Sequence, residues 1–352
     1  MVDVKKEGII LEKTALDFEN EGVLNPAVIK ESNTVHLFYR ALRKGNHSSI
    51  GYCKLEGPLQ VAERYDKPIL VPQFEYESQG LEDPRIVKIE DTYYLTYTAY
   101  DGVNASVALA TSKDLKEFYK QGLITPQMNF SKFICLSKCC GDTDEKYFLE
   151  NNLNQIVKDT DKHVFLWDKN VVFFPKKING KLHFLHRVRP GIQIVSINSL
   201  EDLTKEFWEN YFLNLSKNIL LEPKYQHESG YIGAGCPPVE TKDGWILIYH
   251  GAQLVANEWI YSACAALLDL EDPLKEIARL KYPLFSPDLP WEKQGKVNNV
   301  VFPTGTALFD NRLYIYYGAA DERIAVASLN FSVLLTELKN SINNTQEQHH
   351  QK

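Results

Sequence analysis

Glu82, Asp83 and Arg85 stand around Pro84 and bring two carboxylates and a guanidinium together within a four-residue stretch. An aspartate flanked by like and opposite charge has an ionisation that its neighbours can tune. Its position before Pro84 predicts an extended backbone that aims the side chain rigidly. A carboxyl held in that way can serve as a general acid or base. The simpler alternative is an Asp-Pro turn in which Arg85 pairs with Glu82 or Asp83. A second group, Lys169, Arg187, Arg189 and His250, supplies cationic donors further along the chain. An arginine fork matches the oxygens of phosphate or carboxylate, and lysine adds a point charge. These residues read as an anion site, against the plainer alternative of surface cations paired with nearby acids. Asn25, Arg40, Asp101, Tyr231 and Asp321 complete a set of polar residues that flank apolar strands. No phosphate-binding glycine loop is present, and Gly233–Gly235 is too short for a dinucleotide fingerprint. No Cys/His spacing fits a structural zinc site, and no serine stands in a nucleophile elbow.

These residues sit on a pattern that occurs five times: a proline-anchored segment, a turn, then a strand rich in aromatic and β-branched residues. The copies are NPAVIKESNTVHLFYRA, EDPRIVKIEDTYYLTYTAY, FFPKKINGKLHFLHRV, CPPVETKDGWILIYHGA and VFPTGTALFDNRLYIYYGAAD. Their centres are Ser32-Asn33, Glu90-Asp91, Asn179-Gly180, Asp243-Gly244 and Asp310-Asn311. Dipeptides of this kind tolerate the positive φ of tight hairpin turns. A further short strand follows each hairpin, as in ASVALATS and RIAVASLN. A unit of three or more antiparallel strands cannot bury its own faces and must stack on its neighbours. The pattern predicts an all-β chain folded as a five-bladed β-propeller, with a central cleft where the polar strand ends converge.

The bulk composition fits one large globular domain of 352 residues with 44% hydrophobic and 24% charged residues. A net charge of −7 argues against non-specific nucleic-acid binding. No stretch is apolar and long enough to span a membrane, and the N-terminus lacks the apolar core of a signal peptide. Six cysteines without framework spacing point to a reduced, cytoplasmic protein. One interval breaks the repeat: an insertion between blades 2 and 3, about residues 129–162, is expected to be a lid, a binding loop or a homo-oligomer interface, or else an inert surface excursion. The single domain is expected to end at 338, with the polar segment 339–352 as a disordered tail.

Taken in order, NPAV, LEDPRIV with YYLTYTAYDG, VVFFPKKINGK with LHR, GYIGAGCPPVET with WILIYHG, and VFPTG with YYGAAD resemble glycoside hydrolase family 130. That family comprises β-mannoside phosphorylases and some β-mannosidases, and the resemblance runs from about Asn25 to Leu329. It implies a five-bladed propeller, reached above from the repeats alone. It implies that Asp83 is the proton donor, relaying its proton through a hydroxyl of the bound mannosyl unit. Inorganic phosphate, as co-substrate, then attacks the anomeric carbon from the opposite face and inverts it. No metal or organic cofactor is implied. Lys169, Arg187 and His250 match the family's phosphate site; Asn25, Arg40 and Asp321 match its mannose pocket, with Glu82 and Asp101 as further substrate-binding candidates. Two positions depart from the pattern. Lys169 stands where many phosphorylases carry arginine, and Tyr231 where many carry lysine, so Arg189 is the candidate to replace the missing charge. Hydrolytic members lack the full basic set and activate water with glutamates, which makes Glu228 the candidate base on that reading. Phosphorylase, hydrolase and non-catalytic sugar-binding propeller are thus separated by what converges opposite Asp83: the cations or Glu228.

Overall fold

A computed structural model describes residues 1–139, 143–152 and 163–349. Among these residues the fold is all-β, with short helices at the periphery. The first antiparallel unit comprises β1's successors β2 (Gly22–Glu31), β3 (Thr34–Arg43), β4 (His47–Glu56) and β5 (Gln60–Arg64), where β1 is Val4–Leu11. The second comprises β6 (Gly80–Ile89), β7 (Thr92–Tyr100), β8 (Ala105–Ser112) and β9 (Tyr119–Leu123), joined to the first by one parallel bridge between Ser48 and Gly80. The third holds β10 (Lys169–Phe173), β11 (Leu182–Arg187), β12 (Ile192–Ile197) and β13 (Ile219–Leu221). The fourth holds β14 (Tyr231–Ala234), β15 (Val239–Thr241), β16 (Gly244–Val255), β17 (Glu258–Leu268) and β18 (Glu276–Arg279). The last holds β19 (Val301–Phe309), β20 (Arg312–Ala319) and β21 (Arg323–Asn330), and β1 from the N-terminus pairs with β21 as its outer strand. That pairing ties the chain ends together and covers an edge that would otherwise be open.

The hairpins turn at the expected dipeptides, with Ser32, Glu90, Asn179 and Asp310 all at positive φ. Burial explains why the units assemble. Each of the five apolar clusters lies between consecutive units, and one of them joins the last unit to the first, packing Tyr316, Ile324 and Val326 against Val28, Leu37 and Tyr39. Every sheet therefore buries both faces on its neighbours, which no single unit can do alone. The first strands meet in the same order: β2 lies against β6, β6 against β10, β10 against β14, and β19 back against β2.

The described part of the insertion forms α1 (Phe130–Cys139) and α2 (Lys146–Asn152), while residues 140–142 and 153–162 lie outside the described residues. Phe133, Tyr147 and Phe148 pack with Phe212 of α3 (Lys205–Leu213) in the cluster between the second and third units. The short helix α4 (Pro290–Lys293) precedes the last unit. The segment from 339, expected as a disordered tail, instead continues α5 (Phe331–His349). Its apolar residues at helical spacing are the reason: Leu334, Leu335, Leu338 and Ile342 all pack on the core.

Candidate active site

The first strand of four units kinks at a β-bulge: between Leu24 and Ala27, Glu82 and Arg85, Lys169 and Val172, and Pro303 and Gly305. A bulge breaks the alternation of side chains and re-aims one of them. The re-aimed residues are Asn25 (φ 51°), Asp83 (φ 47°) and Asn170 (φ 58°). Asp83 is thus left-handed rather than extended as its proline neighbour predicted; Pro84 disfavours only the right-handed helical region, and Asp and Asn tolerate the left-handed one. Gly318 makes room for this arrangement, because a Cβ there would lie 1.9 Å from Asn25 Oδ1.

Asn25, Arg40, Glu82, Asp83, Lys169, Arg187, Arg189, Tyr231 and Asp321, all named from sequence, line one cavity of about 210 Å³. On its acidic side Asn25 Nδ2 donates to Asp83 Oδ1 at 2.7 Å. Glu82 bridges two cations, Arg40 at 2.6 Å and Lys169 at 3.4 Å. Arg85 turns away from the cavity and donates to the carbonyls of Asp83 and Pro84 at 3.0 Å, and to that of Gly235, tying the second unit to the fourth. Burial pushes the Asp83 carboxyl up, but Arg40, Lys169 and the Asn25 hydrogen bond outweigh it and hold it below the usual range. The Asp321 carboxyl goes the other way, pushed up to about 6 by burial and by the Asp83 charge.

On the basic side, Lys169 and Arg187 are Cα partners across the β10–β11 ladder. Arg187 Nη1 donates to His250 Nε2 at 3.3 Å. Burial, then the charges of Arg187, Arg85 and Arg189, hold His250 well below its ordinary pKa, so it is the neutral acceptor of that bond. His250 accordingly sits behind Arg187 and does not line the cavity. The Tyr231 ring lies 3.9 Å from the Arg189 guanidinium and 5.0 Å from that of Arg187, and its hydroxyl meets Tyr261 at 2.5 Å. The aromatic face therefore holds the two arginines in place of a third cation. Among the described residues no carboxylate lies within ion-pair distance of Arg187 or Arg189. Asn151 of the insertion donates to the Arg189 carbonyl at 2.8 Å, so α2 buttresses this corner of the site.

Besides His250, two sequence-named residues fall outside the cavity. Asp101 caps its own loop, accepting from the backbone N–H groups of Val103 at 2.8 Å and Asn104 at 2.7 Å. Glu228 is fully buried outside the cavity; one oxygen accepts from the backbone of Lys224 and Tyr225 and meets Arg279 at 3.2 Å, and the other takes the Tyr249 hydroxyl. His227 and Cys264 offer ligand atoms within 4.8 Å of those of Glu228, but the guanidinium already on the carboxylate competes with any metal ion there.

The setting of Glu228 recurs, and sequence reasoning passed over it. Glu19, Glu77 and Glu292 each precede a first strand and each accept a tyrosine hydroxyl, from Tyr39 at 2.7 Å, Tyr97 at 2.7 Å and Tyr317 at 2.6 Å. Each also pairs with a cation from the outermost strand of its unit: Arg64 at 2.9 Å, Lys120 at 2.5 Å and Lys6 at 2.5 Å. The signal was a glutamate followed two or three residues later by glycine, at Glu19, Glu77, Glu228 and Glu292. Asn170, Tyr261 and Phe302 also line the cavity and were not named.

The site thus offers a carboxylate wall facing unneutralised guanidinium groups, a geometry that can hold an anion beside a carboxyl able to exchange a proton. The sequence profile described as beta-1,4-mannooligosaccharide phosphorylase, that of glycoside hydrolase family 130, matches residues 11–340. The chain is 35% identical over 331 residues to a 1,2-beta-oligomannan phosphorylase of Thermoanaerobacter sp. (strain X514), covering 91% of this chain and 94% of that one. It is also 35% identical over 328 residues to a beta-1,2-mannobiose phosphorylase of the same organism, covering 88% and 91%. The structure of beta-1,2-mannobiose phosphorylase from Listeria innocua superposes with a TM-score of 0.71 at 23% identity, covering 96% of this chain and 99% of that one, a likeness of fold. Motifs, profile and relatives agree over nearly the whole length, and the chain belongs to glycoside hydrolase family 130.

Proposed function

We propose that this protein is an inverting phosphorylase that cleaves a β-1,2-linked mannoside with inorganic phosphate, releasing α-mannose 1-phosphate and the shortened sugar. The observation that carries this reading is the pairing of Asp83 with Lys169, Arg187 and Arg189 in one cavity. The β-1,2 linkage rests on the two Thermoanaerobacter relatives, which match more of the chain than the 30% identical beta-1,4-mannooligosaccharide phosphorylase of Ruminococcus albus, over 251 residues. We place the site at the centre of a five-bladed propeller, on the support of the circular order of the units. The unpaired state of Cys53, Cys135, Cys139, Cys236 and Cys264 fits a cytoplasmic setting.

In this scheme phosphate sits on Lys169, Arg187 and Arg189 and attacks the anomeric carbon from the face opposite the leaving oxygen. Asp83 supplies the proton that the leaving oxygen gains, through a mannosyl hydroxyl, while the glycosidic C–O bond breaks and the C–O bond to phosphate forms. Without phosphate, the field of Arg40 and Lys169 keeps Asp83 ionised. A bound phosphate neutralises part of that field and adds like charge, which raises the Asp83 pKa towards the value a proton donor needs. A hydrolase would need a base to activate water, and Glu228 is engaged elsewhere, buried on Arg279 and Tyr249.

The test is incubation with β-1,2- and β-1,4-mannobiose, with and without phosphate. Phosphate-dependent mannose 1-phosphate from the β-1,2 disaccharide supports the assignment. Free mannose formed equally well without phosphate would sink it, and turnover of the β-1,4 disaccharide alone would reverse the linkage.

A further inference from the structure

β11 ends at Arg187 and β12 begins at Ile192, so Arg189 rides on the short connection Val188-Arg189-Pro190-Gly191. Its guanidinium lies 3.9 Å from the Tyr231 ring and has no carboxylate within ion-pair distance among the described residues. The backbone beneath it therefore decides where its charge stands. Three consecutive carbonyls of the connection are each taken by a different part of the molecule. That of Val188 accepts from Gln193 Nε2 at 3.0 Å, while the Val188 N–H donates to Gln193 Oε1 at 2.6 Å. That of Pro190 accepts from the Ile232 N–H of the fourth unit at 2.9 Å. That of Arg189 accepts from Asn151 Nδ2 of the insertion at 2.8 Å. The same amide donates to the Tyr147 carbonyl at 2.7 Å, and Asn151 is 1% exposed. Both partners are carbonyls, so the amide must turn its NH2 group towards them. The matching connection of the second unit is tied by its own Asp101 instead.

α2 is a firm support for that bond. Tyr147 and Phe148 pack in the apolar cluster between the second and third units, and Lys146 pairs with Glu222 at 3.1 Å. Gly191 lets the helix come close, because a Cβ there would lie 2.4 Å from the Tyr147 hydroxyl oxygen. Asn151 itself does not line the cavity, so it reaches a bound anion only through Arg189. We propose that Asn151 is a positioning residue for the anion site, by which the insertion sets the place of the Arg189 charge. The inference rests on the phosphorylase reading in taking Arg189 as a ligand of phosphate. Without the Asn151 donor the Arg189 carbonyl is left unsatisfied and the connection shifts. A guanidinium fork aimed at phosphate oxygens then loses its alignment.

The experiment takes initial rates over a grid of inorganic phosphate and β-mannobiose concentrations at one fixed pH. It compares the wild type with Asn151→Ala, Asn151→Ser, Arg189→Ala and the double variant Asn151→Ala with Arg189→Ala. The serine can still bond back to the Tyr147 carbonyl four residues earlier but cannot span to that of Arg189. Both Asn151 variants should raise the phosphate KM about threefold to tenfold and leave the mannobiose KM within about twofold. In the Arg189→Ala background, Asn151→Ala should change the phosphate KM by less than about twofold, since the residue through which it acts is gone. A general loosening of the fold would raise both constants and would persist without Arg189. An unchanged phosphate KM in both single variants overturns the inference, and so does an effect of equal size with and without Arg189. Failure of both single variants to fold would make Asn151 a residue of the fold alone and overturn it too. These outcomes leave the phosphorylase reading standing. A wild type without phosphate-dependent turnover overturns that reading and this inference together.

Discussion

The Asn25 amide donates to the Asp83 carboxylate, Nδ2 to Oδ1, at 2.7 Å, across the junction of the first and second units. Both residues sit on bulges in the left-handed region, so each unit contributes one re-aimed side chain to the contact. Left-handed backbone at a non-glycine residue costs free energy that the surrounding structure must offset, and it clusters at functional sites. Asp83→Asn keeps the shape and the tolerance for that backbone but removes the transferable proton. Turnover should fall by at least about a hundredfold, and the melting temperature should fall slightly, because the depressed pKa of Asp83 marks a charge that stabilises the fold at neutral pH. Near-normal kcat in this variant would remove Asp83 from the proton-donor role.

Asp321 shares the acidic wall and carries a carboxyl pushed up to about 6, first by burial and then by Asp83. Because the folded-state pKa is raised, the stability linked to its proton is present at low pH and lost as pH rises through about 6. At pH 7 the ionised group opposes folding. Asp321→Asn should therefore raise the melting temperature at about pH 7 by ~2–4 °C, and the gain should disappear by about pH 4. Mannoside turnover should fall in the same variant, the usual trade of site charge against stability. A thermal melt series against pH decides it; a gain that persists at low pH would mean that the stabilisation has another source.

Much of this was legible in the sequence because the repeat is strongly periodic. Turn dipeptides and alternating strands located the hairpins, and the polar ends of those strands include nine of the residues lining the cavity. What was illegible depended on contacts between distant segments. Asp101 has the same side chain as Asp83 but follows a second strand, where no bulge re-aims it, so it turns back on the Val103 and Asn104 amides. His250 carries no local mark showing that it would be buried as a neutral support for Arg187. Glu228, the candidate base, carries no local mark of the Tyr249 hydroxyl and the Arg279 guanidinium that engage it. The continuation of α5 past 338 lies in the helical spacing of Leu334, Leu338 and Ile342, which the polar composition beyond 338 masks.

Glu228 separates the two catalytic readings by experiment. Its carboxylate satisfies two backbone N–H groups, one hydroxyl and the buried Arg279 guanidinium. Glu228→Gln leaves Arg279 partly uncompensated; Glu276, at 2.5 Å, is its other acidic partner. Stability should drop by ~2–4 kcal/mol by denaturant unfolding, and kcat per folded molecule should hold within about twofold. A variant that melts normally but loses turnover would restore Glu228 as a base.

Arg187 is the cation whose removal should discriminate most cleanly between anion and sugar. It is 7% exposed, has no carboxylate within ion-pair distance among the described residues, and spends one N–H on the neutral His250. Burial, with Arg189 beside it, brings its pKa down to about 10, which still leaves it charged at neutral pH. A buried guanidinium without a counter-ion pays a desolvation cost that an arriving dianion can return, so its bond to phosphate should be strong. Arg187→Ala should raise the phosphate KM by about tenfold to a hundredfold and leave the mannoside KM within about twofold. Arg187→Lys should recover part of the loss, since a point charge replaces the charge but not the fork. Initial rates over a two-substrate grid report both constants at once. Parallel increases for phosphate and mannoside would mean that Arg187 shapes the cavity as a whole and does not ligate the anion.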